Sequence, residues 1–440
     1  MGSMKIAVIG FGYIGSVISA VLCQEGFEVI AVEKNDHVVN NLNKGISNIP
    51  EPGLDELIKD SVSKGLLSGT SDFEIVNTCD VILVTVGTPL SDKYDADLTA
   101  LKDVFSELSS NCKDGQIIMI KSTVTPGVTR QLYEEYLSDK NISVAFSPER
   151  LAEGNAISQL KELPIVVGGV NEKSTKDCSE FWKKTLGCKV VEVSSSETAE
   201  LVKLADNQWI DLNIALSNEL ALLCDSLPHE LDVLEVIEGA NTLKKGTHYV
   251  NILTPSIGVG GYCLTKDPWF LDALAKKLNS PIRLPSAGRN ANDFMPHYAA
   301  DKVSQFIEKN NKGSLESKIS VIGYSFKSNS GDIRFTPMKV FIDDLLDRGF
   351  KNIYIYDPTV IDERYDHQYI TWENTHEACL KDSLVTIFGA AHDKIKDILL
   401  REISESMTKG GLVFDGRIYF TKDEISQLRK SGLTYKGIGR

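Results

Sequence analysis

The sequence predicts an α/β protein built from two doubly wound sheets, joined by a long helix and a helical central region. Three observations carry that reading. Over the first 195 residues, short β-rich runs alternate with amphipathic helical stretches, the pattern of parallel strands wrapped by crossover helices. From Ser196 to about Leu227 no Gly or Pro interrupts the chain, and Leu201, Leu204, Ala205, Ile214 and Ala215 recur at helical spacing. Beyond the polar stretch Lys309–Ser317 the strand–helix alternation resumes. At 440 residues the chain is also too long for one hydrophobic core. The expected domains are residues 1–195, 196–310 and 311–440.

In chain order, the strands expected in the first domain are Lys5–Gly10, Glu28–Glu33, Asp80–Val86, Gln116–Lys121 and Ser143–Phe146, with Pro164–Gly168 and Cys188–Val193 extending the sheet. The Gly- and Pro-free segment predicts a helix of about thirty residues, roughly 45 Å long. Helical patterns continue over Asp232–Gly239, Pro268–Lys277 and Ala287–Lys309. In the last domain, strands are expected at Lys318–Gly323, Asn352–Tyr356, Leu384–Phe388 and Leu412–Asp415, with a helix near Pro337–Arg348.

Composition narrows the function. A formal charge of −14 argues against general nucleic-acid binding, and an anionic substrate requires a local basic cluster. No run approaches 18 consecutive apolar residues, so no membrane span is expected. Met1-Gly2-Ser3 reads as a cloning remnant before Met4, with no signal-peptide pattern. The eight cysteines form neither a CxxC pair nor a Cys/His ligand cluster. Reduced thiols, a cytoplasmic setting and no metal centre are the expectation.

Gly10-Phe11-Gly12-Tyr13-Ile14-Gly15 follows a strand and opens a helix. In this context the glycines serve a tight turn, approach of a pyrophosphate and close helix–strand packing. Glu33 ends the next strand, 18 residues after Gly15, where its carboxylate suits ribose hydroxyls and repels a 2′-phosphate. NAD is therefore favoured over NADP, although Lys34 tempers that preference. The loops Val86-Gly87-Thr88-Pro89 and Ser122-Thr123-Val124-Thr125 leave strand ends where such sheets bind ligands. Their hydroxyls suit ribose, carboxamide or water, and ordinary turn chemistry accounts for them equally well.

Four further segments belong together. Phe146-Ser147-Pro148-Glu149-Arg150-Leu151-Ala152-Glu153-Gly154 follows a strand, and Lys203 and Asn207 lie one turn apart on the long helix. A glycine-rich bend carries Gly258, Gly260, Gly261, Cys263, Lys266 and Asp267, and the last domain supplies Gly323-Tyr324-Ser325-Phe326-Lys327 and Asp415-Gly416-Arg417. A thiol beside a nicotinamide site allows an aldehyde to be trapped and oxidised again, so an alcohol can become an acid. The glycine-rich setting of Cys263 is poor for core packing, and nearby lysines and helix starts favour a thiolate. The histidines are scattered outside these segments and are expected to be surface or packing residues.

From Met4 to about Arg417 the combination resembles the nucleotide-sugar 6-dehydrogenases, the UDP-glucose and UDP-N-acetylhexosamine dehydrogenase family. The resemblance implies two Rossmann-like domains, the first for NAD and the second for a UDP-sugar, and a homodimer through the central helical domain. It implies that the C6 alcohol gives a hydride to one NAD, that Cys263 traps the aldehyde, and that a second NAD takes the next hydride before water releases the acid. Lys203 and Asn207 match an oxyanion-stabilising pair, Asp267 a carboxylate that activates thiol or water, Glu149 a residue for thioester hydrolysis, and Thr123 a hydroxyl holding water. Glu153 matches a position with a sugar or supporting role. Arg150, Leu151, Gly258, Gly260, Gly261, Phe326, Lys327 and Arg417 belong to the expected substrate site. Val86, Gly87, Thr88, Ser122, Thr123, Glu153, Lys266 and Arg334 join the fingerprint in the cofactor site.

Pro148-Glu149-Arg150 and Asp267-Pro268-Trp269-Phe270 lean toward the N-acetylhexosamine branch, with GlcNAc or ManNAc as the sugar. Leu151-Ala152-Glu153-Gly154 and Gly331-Asp332 lean toward UDP-glucose, the alternative substrate. Where family members often supply a partner-subunit arginine, the stretch Asn241–Tyr249 has none. A two-electron dehydrogenase would leave Cys263 without a purpose, and a silent nucleotide-sugar binder would form no NADH.

Overall fold

The computed structural model describes residues 4–47, 49–310, 314–361 and 363–440. The remnant read at Met1–Ser3 and residues 311–313 of the polar linker lie outside the described residues. The chain forms two compact units, one of residues up to Asp206 with Ala273–Ser280, the other of Asn207–Asp272 with Pro281–Arg440.

Among the described residues the first unit contains eight strands: β1 (Lys5–Ile9), β2 (Glu28–Val32), β3 (Leu67–Thr70), β4 (Val81–Val84), β5 (Ile117–Ile120), β6 (Ser143–Phe146), β7 (Ile165–Gly169) and β8 (Val190–Glu192). Their order is β3-β2-β1-β4-β5-β6-β7-β8. Pairing is parallel except between β6 and β7, which run antiparallel. Alternation along β1 divides its side chains between two cores. Ile6 and Val8 pack with Ile18, Leu22 and Trp182, while Ala7 and Ile9 pack with Phe105, Leu108 and Ile118 on the other face. The order reverses between β1 and β4, which places the Gly10 turn and the Val86 loop together at the switch point, where such sheets bind nucleotides.

The second unit holds the hairpin β9 (Lys244–Lys245) and β10 (His248–Tyr249) and a six-stranded parallel sheet. That sheet consists of β11 (Ile319–Ile322), β12 (Ile353–Tyr356), β13 (Ile370–Trp372), β14 (Val385–Phe388), β15 (Leu412–Asp415) and β16 (Thr434–Gly437). Its order, β13-β12-β11-β14-β15-β16, repeats the switch-point arrangement between β11 and β14.

The long helix runs Ser196–Ser226, as expected. The later helix begins at Leu284 rather than Ala287, because Pro285 sits in the first turn, where no N–H is needed. A Cβ on Gly288 would stand 2.8 Å from Leu212, so these two helices meet closely there. Seven cysteines are buried and Cys263 is exposed. Among the described residues, no helix is long and apolar enough to cross a membrane.

Candidate active site

The glycine fingerprint has a visible steric basis. Gly10 has a left-handed φ of 89° that disfavours other residues. A Cβ on Gly15 would stand 2.1 Å from the Gly10 carbonyl, so only glycine lets the Tyr13–Gln24 helix sit this close to the turn. Gly12 precedes that helix, and nothing lies within 4 Å of where its Cβ would be. The turn thus leaves an open approach to helix amides, the setting for a pyrophosphate. Glu33 reaches back from the end of β2, its Oε2 accepting the Phe11 amide at 2.9 Å and its Oε1 the Asn35 amide at 3.0 Å. Lys34 is exposed. Thr88 donates to the Thr123 carbonyl at 2.6 Å, which joins the two loops read from sequence; Ser122 is buried, while Val86 and Thr123 are half-buried. These residues line the C-terminal edge of one sheet and fit NAD.

Tyr13 and Glu153 are drawn together by a residue the sequence did not single out. Buried Glu51 accepts the Tyr13 hydroxyl at 2.5 Å and the amides of Gly154 and Ala156 at 2.6 and 2.8 Å. Burial and the Glu51 and Glu153 carboxylates push the Tyr13 phenol upward. Glu149 is also buried: its Oε1 accepts the Arg150 and Leu151 amides at 2.7 and 2.9 Å, and its Oε2 lies 3.3 Å from Lys121 Nζ. Arg150 is spent on structural contacts, bonding the Pro164 carbonyl and standing 3.8 Å from Asp206. Leu151 is half-buried beside it.

Lys203 is buried to 8% exposure on the long helix. One turn earlier, fully buried Glu200 accepts the amides of Gly127 and Thr129 at 2.6 and 2.7 Å. It thereby fastens this helix to the loop that begins at Ser122.

In the second unit the cysteine bend is held from several sides. The Cys263 carbonyl accepts the Lys266 and Asp267 amides at 3.2 and 2.9 Å, which sets the thiol residue just ahead of the Asp267–Lys277 helix. Fully buried Asp267 receives Asn207 Nδ2 at 2.5 Å and Lys266 Nζ at 2.6 Å. The Lys266 ammonium also lies 4.5 Å from the Phe270 ring centroid and 5.4 Å from that of Tyr262. A Cβ on Gly260 would strike Phe326 at 2.4 Å, and one on Gly261 would meet its ring at 2.8 Å. Phe326 therefore packs against the bend, and close packing explains these glycines. The Gly261 amide donates to the Arg334 carbonyl at 3.0 Å, while the exposed Arg334 side chain pairs with Asp332 and lies over Tyr262. Gly258 abuts Pro337 in the same way.

At the C-terminal edge of the second sheet, Arg417 donates to the Gly389 carbonyl at 2.9 Å and the Phe326 carbonyl at 3.0 Å. Burial lowers its guanidinium to about 10. Lys327 is half-buried in the same turn. Asp357, just after β12, accepts the Tyr324 and Ser325 amides at 2.8 and 2.9 Å on Oδ2, and the Thr359 amide and hydroxyl at 2.8 and 2.7 Å on Oδ1. His392 Nε2 stands 3.1 Å from the same Oδ2, and its Nδ1 accepts the Asn329 amide at 2.8 Å. That amide bond leaves the Nε2 hydrogen for Asp357. The imidazole and these donors hold the Asp357 carboxyl well below the usual range.

Three family models cover the chain in order. The NAD-binding domain of the UDP-glucose/GDP-mannose dehydrogenase family matches residues 4–186, its central domain 197–294 and its UDP-binding domain 320–422. The chain belongs to the UDP-glucose/GDP-mannose dehydrogenase family. It is 34% identical to a UDP-N-acetyl-D-mannosamine dehydrogenase of Methanococcus maripaludis over 99% of this chain and 97% of the relative. An NDP-N-acetyl-D-galactosaminuronic acid dehydrogenase of Ralstonia solanacearum is 32% identical over 81% of this chain and 83% of that protein. The solved UDP-D-ManNAc dehydrogenase of Pyrococcus horikoshii matches with a TM-score of 0.88 at 29% identity, covering 99% of each chain.

Membership of the UDP-glucose/GDP-mannose dehydrogenase family bears out NAD as the cofactor. The structure adds Glu51, Lys121, Glu200, Asp357 and His392 to the residues that sequence reading had found. Glu51 carries no local signal, since it meets its amides 103 and 105 residues away; Asp357, by contrast, follows its strand as Glu33 does and bonds Thr359 two residues on. His392, expected to be a surface or packing histidine, is buried and hydrogen-bonded at the second sheet's edge.

Proposed function

We propose that this chain is an NAD-dependent nucleotide-sugar 6-dehydrogenase that converts a UDP-N-acetylhexosamine to its uronic acid. UDP-N-acetyl-D-mannosamine is the favoured substrate and UDP-glucose the less favoured alternative. The observation that carries the reading is Cys263, the exposed cysteine, held ahead of a helix and next to the buried Asn207–Asp267–Lys266 cluster. Bound NAD would supply the hydride acceptor for both oxidations, one NAD for the C6 alcohol and a second for the trapped aldehyde. The Cys263 thiolate bonds to the aldehyde carbon, giving a thiohemiacetal and, once oxidised, a thioester. Water then displaces sulfur, so the acid leaves and the thiol is restored. Asn207 spends one Nδ2 hydrogen on Asp267 and keeps the other for an oxyanion, with Lys203 as its cationic partner. Glu149 Oε1 is committed to two amides, so Oε2 is the oxygen that would orient the hydrolytic water. Thr123 would hold water, and Arg417 and Lys327 would face the diphosphate.

The second unit leaves Trp209, Leu216 and Leu223 exposed at seven-residue spacing along the long helix, a stripe that supports a homodimer through this helix. A cytoplasmic location accords with the reduced thiols.

The test is a panel of UDP-sugars with NAD, counting NADH per sugar and weighing the product. Two NADH and a uronic acid are expected, with UDP-N-acetyl-D-mannosamine turning over fastest. Cys263→Ser should bind both ligands and form no acid; unchanged acid production by that variant would overturn the assignment.

A further inference from the structure

Within the second unit, the segment bearing Cys263 is tied to the long helix on both sides of the thiol. Asn213 accepts the Leu253 amide at 2.8 Å and donates to the Asn251 carbonyl at 2.7 Å. Asn218 accepts the Ser256 amide at 2.9 Å, and Asn207 holds Asp267. The tie nearest the thiol runs through an arginine. From the Leu284–Lys309 helix, Arg289 Nη1 donates to Asp211 Oδ1 at 2.6 Å and to the carbonyl of Leu264, the residue after the thiol, at 3.3 Å. Asp211 lies one turn beyond Asn207 on the same helix face.

Asn292 completes the connection, donating to the Asp211 carbonyl and Oδ1 at 3.0 and 2.8 Å and accepting from Asn218 at 2.9 Å. A continuous polar chain therefore runs from the Ser256 amide through Asn218, Asn292, Asp211 and Arg289 to the Leu264 carbonyl. It closes a ring around the cysteine bend.

This chain is deeply buried: Arg289 is 1% exposed, and Asp211, Asn218 and Asn292 are fully buried. Asp211 Oδ2 and Arg289 Nε have no hydrogen-bond partner among the described residues. A buried ion pair with unused polar atoms is a weak stabiliser, and apolar residues of similar volume often match or improve on it. Stability alone leaves the pair unexplained. What it supplies is a fixed direction for the peptide group adjoining the thiol.

We infer that Arg289, oriented by Asp211, is a positioning residue that sets the Cys263 thiol for attack on the C6 aldehyde. The inference rests on the reading of Cys263 as the nucleophile. A thiol must meet its carbon within a narrow range of distance and angle, and a displacement of about 1 Å can cost on the order of 100-fold in rate.

The test uses the full-length protein and two variants. Asp211→Asn/Arg289→Met removes both buried charges together and so leaves no unpaired ion in the core; Asp293, which Arg289 Nη2 also bonds, is exposed and stays solvated. Arg289→Lys keeps the cation but loses the planar guanidinium that serves Asp211, the Leu264 carbonyl and, through Nη2, Asp293. With the double variant, kcat should fall roughly 10- to 100-fold while KM for UDP-sugar and NAD stays within about twofold. Alkylation of Cys263 by iodoacetamide in the free protein should change about threefold or more. Parental kcat and alkylation rate in the double variant would overturn the inference, as would losses that merely follow the folded fraction. If the double variant fails to fold, Arg289→Lys gives the same readouts under the same criteria. Acid formation by Cys263→Ser in parallel would refute the nucleophile itself, whereas an inactive Cys263→Ser beside a fully active double variant refutes only the role of Arg289.

Discussion

Replacing Glu200 by Gln probes the join between the long helix and the Ser122 loop through its dependence on pH. Burial pushes the Glu200 carboxyl from 4.5 up to about 7, against the pull of the Gly127 and Thr129 amides. The folded protein then holds this proton more tightly than the unfolded chain. Stability from the group is complete below about pH 4.5 and is lost as pH rises through about 7. A rise of about 2.5 units, at ~1.36 kcal/mol each, makes the loss about 3 kcal/mol. Neighbouring Glu197 stays silent in this window, because its bonds to Arg130 hold it at about 2. Denaturant unfolding of parent and Glu200→Gln between pH 5 and 8.5 reads the difference. The parent should lose stability relative to the glutamine variant as pH rises. A difference that stays constant across the window would refute the reasoning, since it would mean that the two amides keep the carboxylate ionised despite its burial.

Two further outcomes are expected. Gly15→Ala places a methyl 2.1 Å from the Gly10 carbonyl, so it should cost about 1–3 kcal/mol and weaken NAD binding at least tenfold by calorimetry; parental affinity would contradict the close-packing argument. Trp209→Asp with Leu216→Asp should convert a dimer to monomers in light scattering, and an unchanged mass would show that the exposed stripe is not the interface.

Much of the fold is legible in the sequence because buried parallel strands are apolar runs of four or five residues. The runs at β1, β2, β4, β5 and β6 are almost entirely buried, and so they announce themselves. The strands not read from sequence include the edge strands Leu67–Thr70, Ile370–Trp372 and Thr434–Gly437, reading LSGT, ITW and TYKG, and the two-residue strands of the hairpin: each is too polar or too short to give a hydrophobic pattern. Strand direction is equally hidden. IVVGG at β7 is buried throughout and looks the same whether it pairs parallel or antiparallel. At the site, motif residues could be read because their spacing is local. Their supports could not, since Glu51 meets the Gly154 and Ala156 amides 103 and 105 positions away and Asp211 meets Arg289 78 positions away.

Each sheet follows its second strand with a carboxylate that grips the turn after the first strand, yet the two are not equivalent. Asp357 already takes five donors, more than the roughly four lone-pair directions a carboxylate offers. Glu33 takes one amide on each oxygen and has room for two hydroxyls more, the number a ribose diol presents. A nucleoside at the first sheet can thus be clasped by its sugar through Glu33, whereas Asp357, fully occupied by the protein's own donors, has no lone pair to offer a sugar at the second.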